Sequence, residues 1–130
     1  MAQRKSLTPL GETEIEVLHH VWKLGEATVN DVRDRILKDR KVAYTTIMTV
    51  MRKLADKGYL EFHKDGRTYV YSPARPANEV QHSLLKEIMN SVFHGSPMKL
   101  VQTLVKHEEL SDEEREEMKR LIEQLDGSNG

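Results

Sequence analysis

The chain has 130 residues, 38% of them hydrophobic, with 20 Lys or Arg against 21 Asp or Glu and no cysteine. That length supports one domain, or a small domain with an appended helical segment. The composition excludes disulfides, thiolate metal sites and cysteine nucleophiles. No run approaches the roughly 20 apolar residues that cross a bilayer, so a cytoplasmic protein with no membrane partner is expected.

The near-neutral total hides a division. Residues 1–76 carry 14 Lys or Arg against 10 Asp or Glu, and residues 77–130 carry 6 against 11. Residues 33–75 alone hold 11 basic side chains against 5 acidic ones. The basic part is suited to approach nucleic acid, and the acidic part would be repelled by it.

A first helix is predicted from near Gly11 to Leu24, with Ile15, Leu18, Val21 and Trp22 on its apolar side and Gly25 as its stop. A second starts at Thr28, whose hydroxyl can cap it with Asp31 three residues on. Val29, Val32, Ile36 and Leu37 form its stripe, which fades at Asp39-Arg40-Lys41. After the connector Val42-Ala43, a third helix starts at Tyr44. At about 100° per residue, Ile47, Val50, Met51 and Leu54 face a core, while Thr45, Thr49, Arg52 and Lys53 face away, flanked by Thr46 and Met48. Short hydroxyls and cations on one face suit base edges and phosphates in a major groove. Taken alone, the same face also fits an ordinary solvated helix.

The segment beyond this helix shifts the balance. Gly58 is a left-handed helix stop, Tyr59-Leu60-Glu61-Phe62-His63 alternates apolar with polar, and Asp65-Gly66 signals a two-residue turn into Thr68-Tyr69-Val70-Tyr71. Lys64 and Arg67 sit at the tip of this hairpin. Of Tyr69 and Tyr71, at least one is expected in the core. Helix, turn, helix and hairpin in that order predict a mainly α fold, a winged helix-turn-helix domain with a small β-hairpin wing.

Pro73 and Pro76 mark the exit, so domains are drawn at residues 7–75 and 76–126, with 127–130 a disordered tail. Three further helices are predicted. Asn78 to Phe93 repeats Val80, Leu84, Ile88 and Val92. Pro97 starts the next, with Leu100, Val101, Leu104 and Val105. The last is capped by Ser111 and Glu114 and carries Met118, Leu121, Ile122 and Leu125. Such short helices have little to bury against within one chain, so either they pack on the winged helix or a second copy covers them. The homodimer is preferred, because twofold symmetry would set two reading helices about one DNA turn apart, ~34 Å.

Glu16, His19 and His20 have spacing that could hold a metal on one helix turn, but packing histidines are preferred. No metal and no cofactor are expected. Nor do converging polar groups, a phosphate loop or an activated nucleophile suggest an enzyme.

The assembled residues resemble the penicillinase-repressor family of bacterial winged-helix regulators, which includes β-lactamase and methicillin-resistance repressors and copper-responsive relatives. The likeness is carried by the stretch from Leu10 to Trp22, by Ala43-Tyr44-Thr45-Thr46-Ile47-Met48-Thr49, by Lys57-Gly58-Tyr59-Leu60, by the wing from Lys64 to Tyr71, and by Leu104-Val105 followed by Glu109-Leu110-Ser111. It implies a homodimeric repressor on a palindromic double-stranded operator. DNA contacts would fall at Thr45, Thr46, Met48 and Thr49, with Arg52 and Lys53 toward phosphates and Lys64 and Arg67 on the wing. The last three helices would form the dimer, through Leu84, Ile88, Val92, Leu100, Leu104, Leu121, Ile122 and Leu125.

Two departures matter. The β-lactam-responsive members are cut by a sensor-linked protease at an Asn–Phe bond, and the matching positions here are Thr103 and Leu104. The copper-responsive members end in paired cysteines, which this chain lacks. The releasing signal is therefore open. Two other readings remain beside the repressor: a winged-helix module for an acidic protein partner, and a DNA-binding sensor of a small molecule.

Overall fold

Residues 10–129 are described by a computed structural model, with side chains described to residue 125. Residues 7–9 of the expected domain and Gly130 of the expected tail lie outside the described residues. The elements run α1 (Glu12–Leu24), α2 (Val29–Ile36), α3 (Tyr44–Asp56), β1 (Leu60–Asp65), β2 (Thr68–Pro73), α4 (Ala77–Val92), α5 (Pro97–His107) and α6 (Asp112–Asn129). Two compact units result, one ending at Glu87 and the other beginning at Ile88.

Local chemistry sets the helix ends of the first unit. Glu14 reaches back so that the Gly11 N–H donates to its carboxylate at 2.9 Å, and Gly25 closes α1 with φ +84°. Thr28 and Asp31 form a reciprocal capping box at α2, with bonds of 3.0 and 3.1 Å. Arg33 Nε donates to the Val42 carbonyl at 3.1 Å, tying α2 to the turn that launches α3. At the far end of α3, Gly58 takes φ +89°. Its N–H donates to Ala55 O at 3.1 Å and the Tyr59 N–H donates to Leu54 O at 2.9 Å, the two bonds of a Schellman motif.

Those ends aim three helices at one core. Val17, Leu18 and Val21 from α1, Val32 and Ile36 from α2, and Ile47, Met51 and Leu54 from α3 are buried together with Tyr59, Leu60, Tyr71 and Val80. Each such aliphatic side chain contributes about 1.5–3 kcal/mol on burial. The stripes are rotated from the expected ones: Val17 replaces Ile15 on α1, and Leu37 stays exposed. Ile15 is offset by about 120° from the direction shared by Val17, Leu18 and Val21, too far to reach the same core. Trp22 packs half-buried at the rim, edge to face with His19 at 5.2 Å between ring centroids.

The hairpin is antiparallel, and its register from Leu60↔Pro73 to Asp65↔Thr68 leaves Gly66-Arg67 as the two-residue loop. The turn is thus one residue later than Asp65-Gly66. Only Gly66 of the loop pair has positive φ, +68°, the first-position glycine of a II′ turn. Ala27, between α1 and α2, exchanges two 2.8 Å backbone hydrogen bonds with Tyr71 and so joins the wing to the helices.

Lys57 and Glu14 add a partly buried ion pair, with Nζ 2.8 and 2.9 Å from the two carboxylate oxygens. Burial pushes the Glu14 carboxyl up, but the Gly11 N–H and the Lys57 ammonium outweigh it and hold it below its ordinary value. His20 behaves in the opposite sense to a paired histidine. Burial, then the nearby Arg35 charge, push its imidazole below the ordinary 6.5. Arg35 Nε donates to its Nδ1 at 3.0 Å, a bond that requires that nitrogen unprotonated.

Residues 76–87 do not belong with the tail. Val80 is fully buried in the first core and Leu84 packs against it, so the boundary falls about three turns of helix later than the prolines indicate. In the second unit, Ser96 caps α5 by accepting from the Lys99 N–H at 3.1 Å, with Pro97 at the first helical position. Ser111 and Glu114 cap α6 reciprocally at 3.0 Å. α6 continues through Gly127 and Ser128 to Asn129, where a disordered tail is expected. No proline interrupts it, and each further residue adds one rung to the hydrogen-bond ladder. None of the side chains described in the second unit is buried.

Because the unfolded chain protonates His20 more readily than the native one, its contribution to stability is complete above the ordinary 6.5 and is lost as pH falls through the depressed native value. Thermal melts between about pH 7 and pH 5 should therefore show a loss of Tm that His20→Gln reduces. Identical pH profiles for the two proteins would refute this. At the wing tip, Gly66→Val should cost about 1–2 kcal/mol by denaturant titration, and Gly66→Asn distinctly less, because asparagine tolerates positive φ.

Candidate nucleic-acid interface

α3 is held by one face and free on the other. Ile47, Met51 and Leu54 have no exposed surface, while Thr45, Thr46, Thr49, Arg52 and Lys53 all face solvent. Met48 lies between the two faces, half-buried and packed against the core. It is therefore part of the helix's footing as well as of its outward edge. Ala43, the residue before α3, supplies no capping side chain.

Pleating divides the wing into two faces. Register places Leu60, Phe62 and Lys64 with Tyr69, Tyr71 and Pro73 on one side, and Glu61, His63 and Asp65 with Thr68, Val70 and Ser72 on the other. On the first side, burial ends partway along. Tyr71 is the tyrosine in the core at 3% exposed, whereas Tyr69 is 38% and Phe62 53% exposed. Phe62 meets Tyr69 edge-on, with centroids 5.0 Å apart, and lies 5.6 Å from Tyr71. The Lys64 ammonium sits 5.4 Å from the Tyr69 ring centre.

α3 and the wing adjoin. Burial raises the Tyr71 hydroxyl above its ordinary value while the Arg52 charge pulls it down, and Tyr69, Tyr44 and Asp56 act on it too. Arg52, Asp56 and Tyr44 of α3 thus lie near Tyr71, on the wing face that also carries Phe62, Tyr69 and Lys64. Tyr44, Phe62 and the Ala27 bridge are absent from the site read in the sequence. Phe62 enters the sequence reading only as one apolar residue of an alternating strand, and Ala27 carries no sequence signal, since a small residue pairs as readily as it coils.

The residues grouped as a metal alternative are engaged elsewhere. Glu16 pairs with Arg40, His19 stacks on Trp22 and His20 accepts from Arg35. Among the described residues, no group of three or more His, Asp or Glu is placed to hold a metal ion. No helix among them is long and apolar enough to cross a membrane.

Of the residues expected at a dimer contact, Leu84 is half-buried and packs against the core of the first unit. Ile88, Val92, Leu104, Leu121, Ile122 and Leu125 are exposed, Val92 by 62% and Leu125 by 64%, and Leu100 is half-buried. A groove of about 620 Å³ runs between α5 and α6, floored by Val105, Leu110, Met118 and Ile122. Thr103 and Leu104 lie within α5, where the Thr103 hydroxyl donates to Lys99 O at 2.8 Å.

Comparison with known proteins agrees with this geometry. The sequence profile of the family described as penicillinase repressor matches residues 10–124. The chain is similar to the penicillinase repressor of Bacillus licheniformis, 27% identical over 120 residues that cover 92% of this chain and 94% of the relative. It is also similar to the transcriptional regulator BlaI of Mycobacterium tuberculosis, 29% identical over 126 residues that cover 95% of this chain and 90% of the relative. Among solved structures, the DNA-binding domain of the repressor BlaI superposes with a TM-score of 0.51 at 30% identity, over 59% of this chain and 93% of that one. With the winged helix and nearly the whole length matched, the chain belongs to the penicillinase repressor family of non-enzymatic, DNA-binding transcriptional repressors.

Proposed function

We propose that this protein is a homodimeric, sequence-specific repressor that sits on a palindromic operator in the cytoplasm until a signal releases it. The observation that carries the reading is the outward face of α3: three exposed threonines, Arg52 and Lys53, on a helix whose opposite face is anchored in the core. In this reading α3 enters the major groove. Thr45, Thr46 and Thr49 meet base edges and the Met48 thioether makes apolar contact, while Arg52 and Lys53 take phosphates. Lys64 and Arg67 place the wing on the adjoining backbone.

Dimerisation rests on α5, α6 and the end of α4. Ile88, Val92, Leu104, Leu121, Ile122 and Leu125 are large apolar side chains left in water, and a second copy would remove them from it. The same contacts divide the domains: a reading unit drawn from residues 7–75 and extended by the first three turns of α4, then a pairing unit to residue 126. Release by a sensor protease at Thr103 and Leu104 would require unwinding α5, because a protease takes its substrate extended. That places such a signal, if it is used, on a step that first opens the helix.

Binding of duplex fragments from the protein's own promoter region over a salt series tests the reading of α3. Log K should fall with log salt by about 0.9 for each phosphate contacted, and Arg52→Ala with Lys53→Ala should reduce that slope by about 2 for each protomer bound, about 4 for the dimer. Thr46→Ala should instead alter base preference with the slope kept. Binding that ignores salt would sink the reading. Sedimentation tests the pairing: the wild type should run at twice the 15.0 kDa chain mass, and Val92→Asp with Leu121→Asp should run as a single chain. A monomeric wild type at micromolar concentration would overturn it.

A further inference from the structure

The wing carries more apolar surface than its own fold uses. Phe62 is opposite the buried Tyr71 yet 53% exposed, and Tyr69 beside it is 38% exposed. The two rings pack edge to face at 5.0 Å, so they form a preformed patch rather than two isolated side chains. On the wing, Lys64 lies on the same face and Arg67 is in the loop, whereas Glu61 and Asp65 project from the opposite face of the hairpin; on the α3 side Arg52 and Asp56 both act on the Tyr71 hydroxyl.

An apolar patch with Lys64 beside it and Arg67 in the adjoining loop matches a polyanion with apolar segments between its charges. The sugar–phosphate backbone of DNA has that character, with deoxyribose faces between successive phosphates. We propose that Phe62 and Tyr69 seat the deoxyribose of the DNA strand that passes between α3 and the wing, while Arg52, Lys64 and Arg67 take its phosphates. The inference rests on the DNA-binding reading of α3 and adds a separate component to it. Packing against sugar releases no counterions, so this component is insensitive to salt and indifferent to base sequence.

The test compares full-length wild type with Phe62→Ala, Tyr69→Ala, Phe62→Leu and Arg67→Ala on one labelled duplex across a salt series. Phe62→Ala and Tyr69→Ala should each weaken binding by about fivefold to tenfold at every salt concentration, with the slope unchanged. Phe62→Leu should retain most of the affinity, and Arg67→Ala should lower the slope by about 0.9 for each protomer bound. Melting curves show whether Phe62→Ala remains folded; if it does not, Tyr69→Ala decides. A wild type that binds while both alanine variants match it overturns the seat alone, and a slope change in those variants does so too. If the variants lose oligomer mass in sedimentation and keep DNA affinity, the patch is a protein contact and the proposal fails. A wild type that binds no duplex overturns instead the underlying reading of α3.

Discussion

The fold turns on the junction at Gly58. Left-handed backbone there, permitted cheaply only to glycine, stops α3 and sends the chain into β1 within two residues, while Tyr59 drops fully into the core. The end of α3 and the base of the wing are therefore set by the same buried side chains, Leu54, Tyr59 and Leu60. Ala27 closes the arrangement from the other side through its paired hydrogen bonds to Tyr71. The helix and the hairpin are in this way held as one body. The Glu14–Lys57 ion pair fastens α1 to the same corner.

The two units solve different problems. The first buries its apolar side chains within itself and exposes cations on α3 and the wing. The second has well-capped helices and ion pairs along α6, but none of its described side chains is buried. Capping and surface pairs contribute only fractions of a kcal/mol to a few kcal/mol each, and short helices in water need packing more than either. An exposed apolar face on well-formed helices is what the proposed pairing with a second copy would cover. Its negative charge keeps that surface from competing for the anion that the first unit attracts.

Much of this was legible in the residues. The capping pairs Thr28 with Asp31 and Ser111 with Glu114, the stop at Gly58 and the core side of α3 come from local rules, and all reappear in the structure. The errors were equally physical. Ile15 and Leu37 fit a helical period but not the direction in which their helices happen to face. The hairpin turn slipped by one residue because Asp-Gly and Gly-Arg are both acceptable loop pairs, and strand register chooses between them. Pro73 and Pro76 punctuate the chain without ending the domain, since Val80 and Leu84 beyond them still reach the first core.

The sequence by itself determined the element order, the segregation of charge between the halves and the face of α3 that carries threonines and cations, because periodicity and capping are local properties. Only the tertiary structure decided that Met48 is half footing, that Leu84 serves the first core, that Ala27 ties down the wing and that Phe62 remains in water. Those outcomes depend on which distant surface arrives beside each residue. A residue's neighbours in the chain limit what it can do, and its neighbours in space settle which of those options it takes.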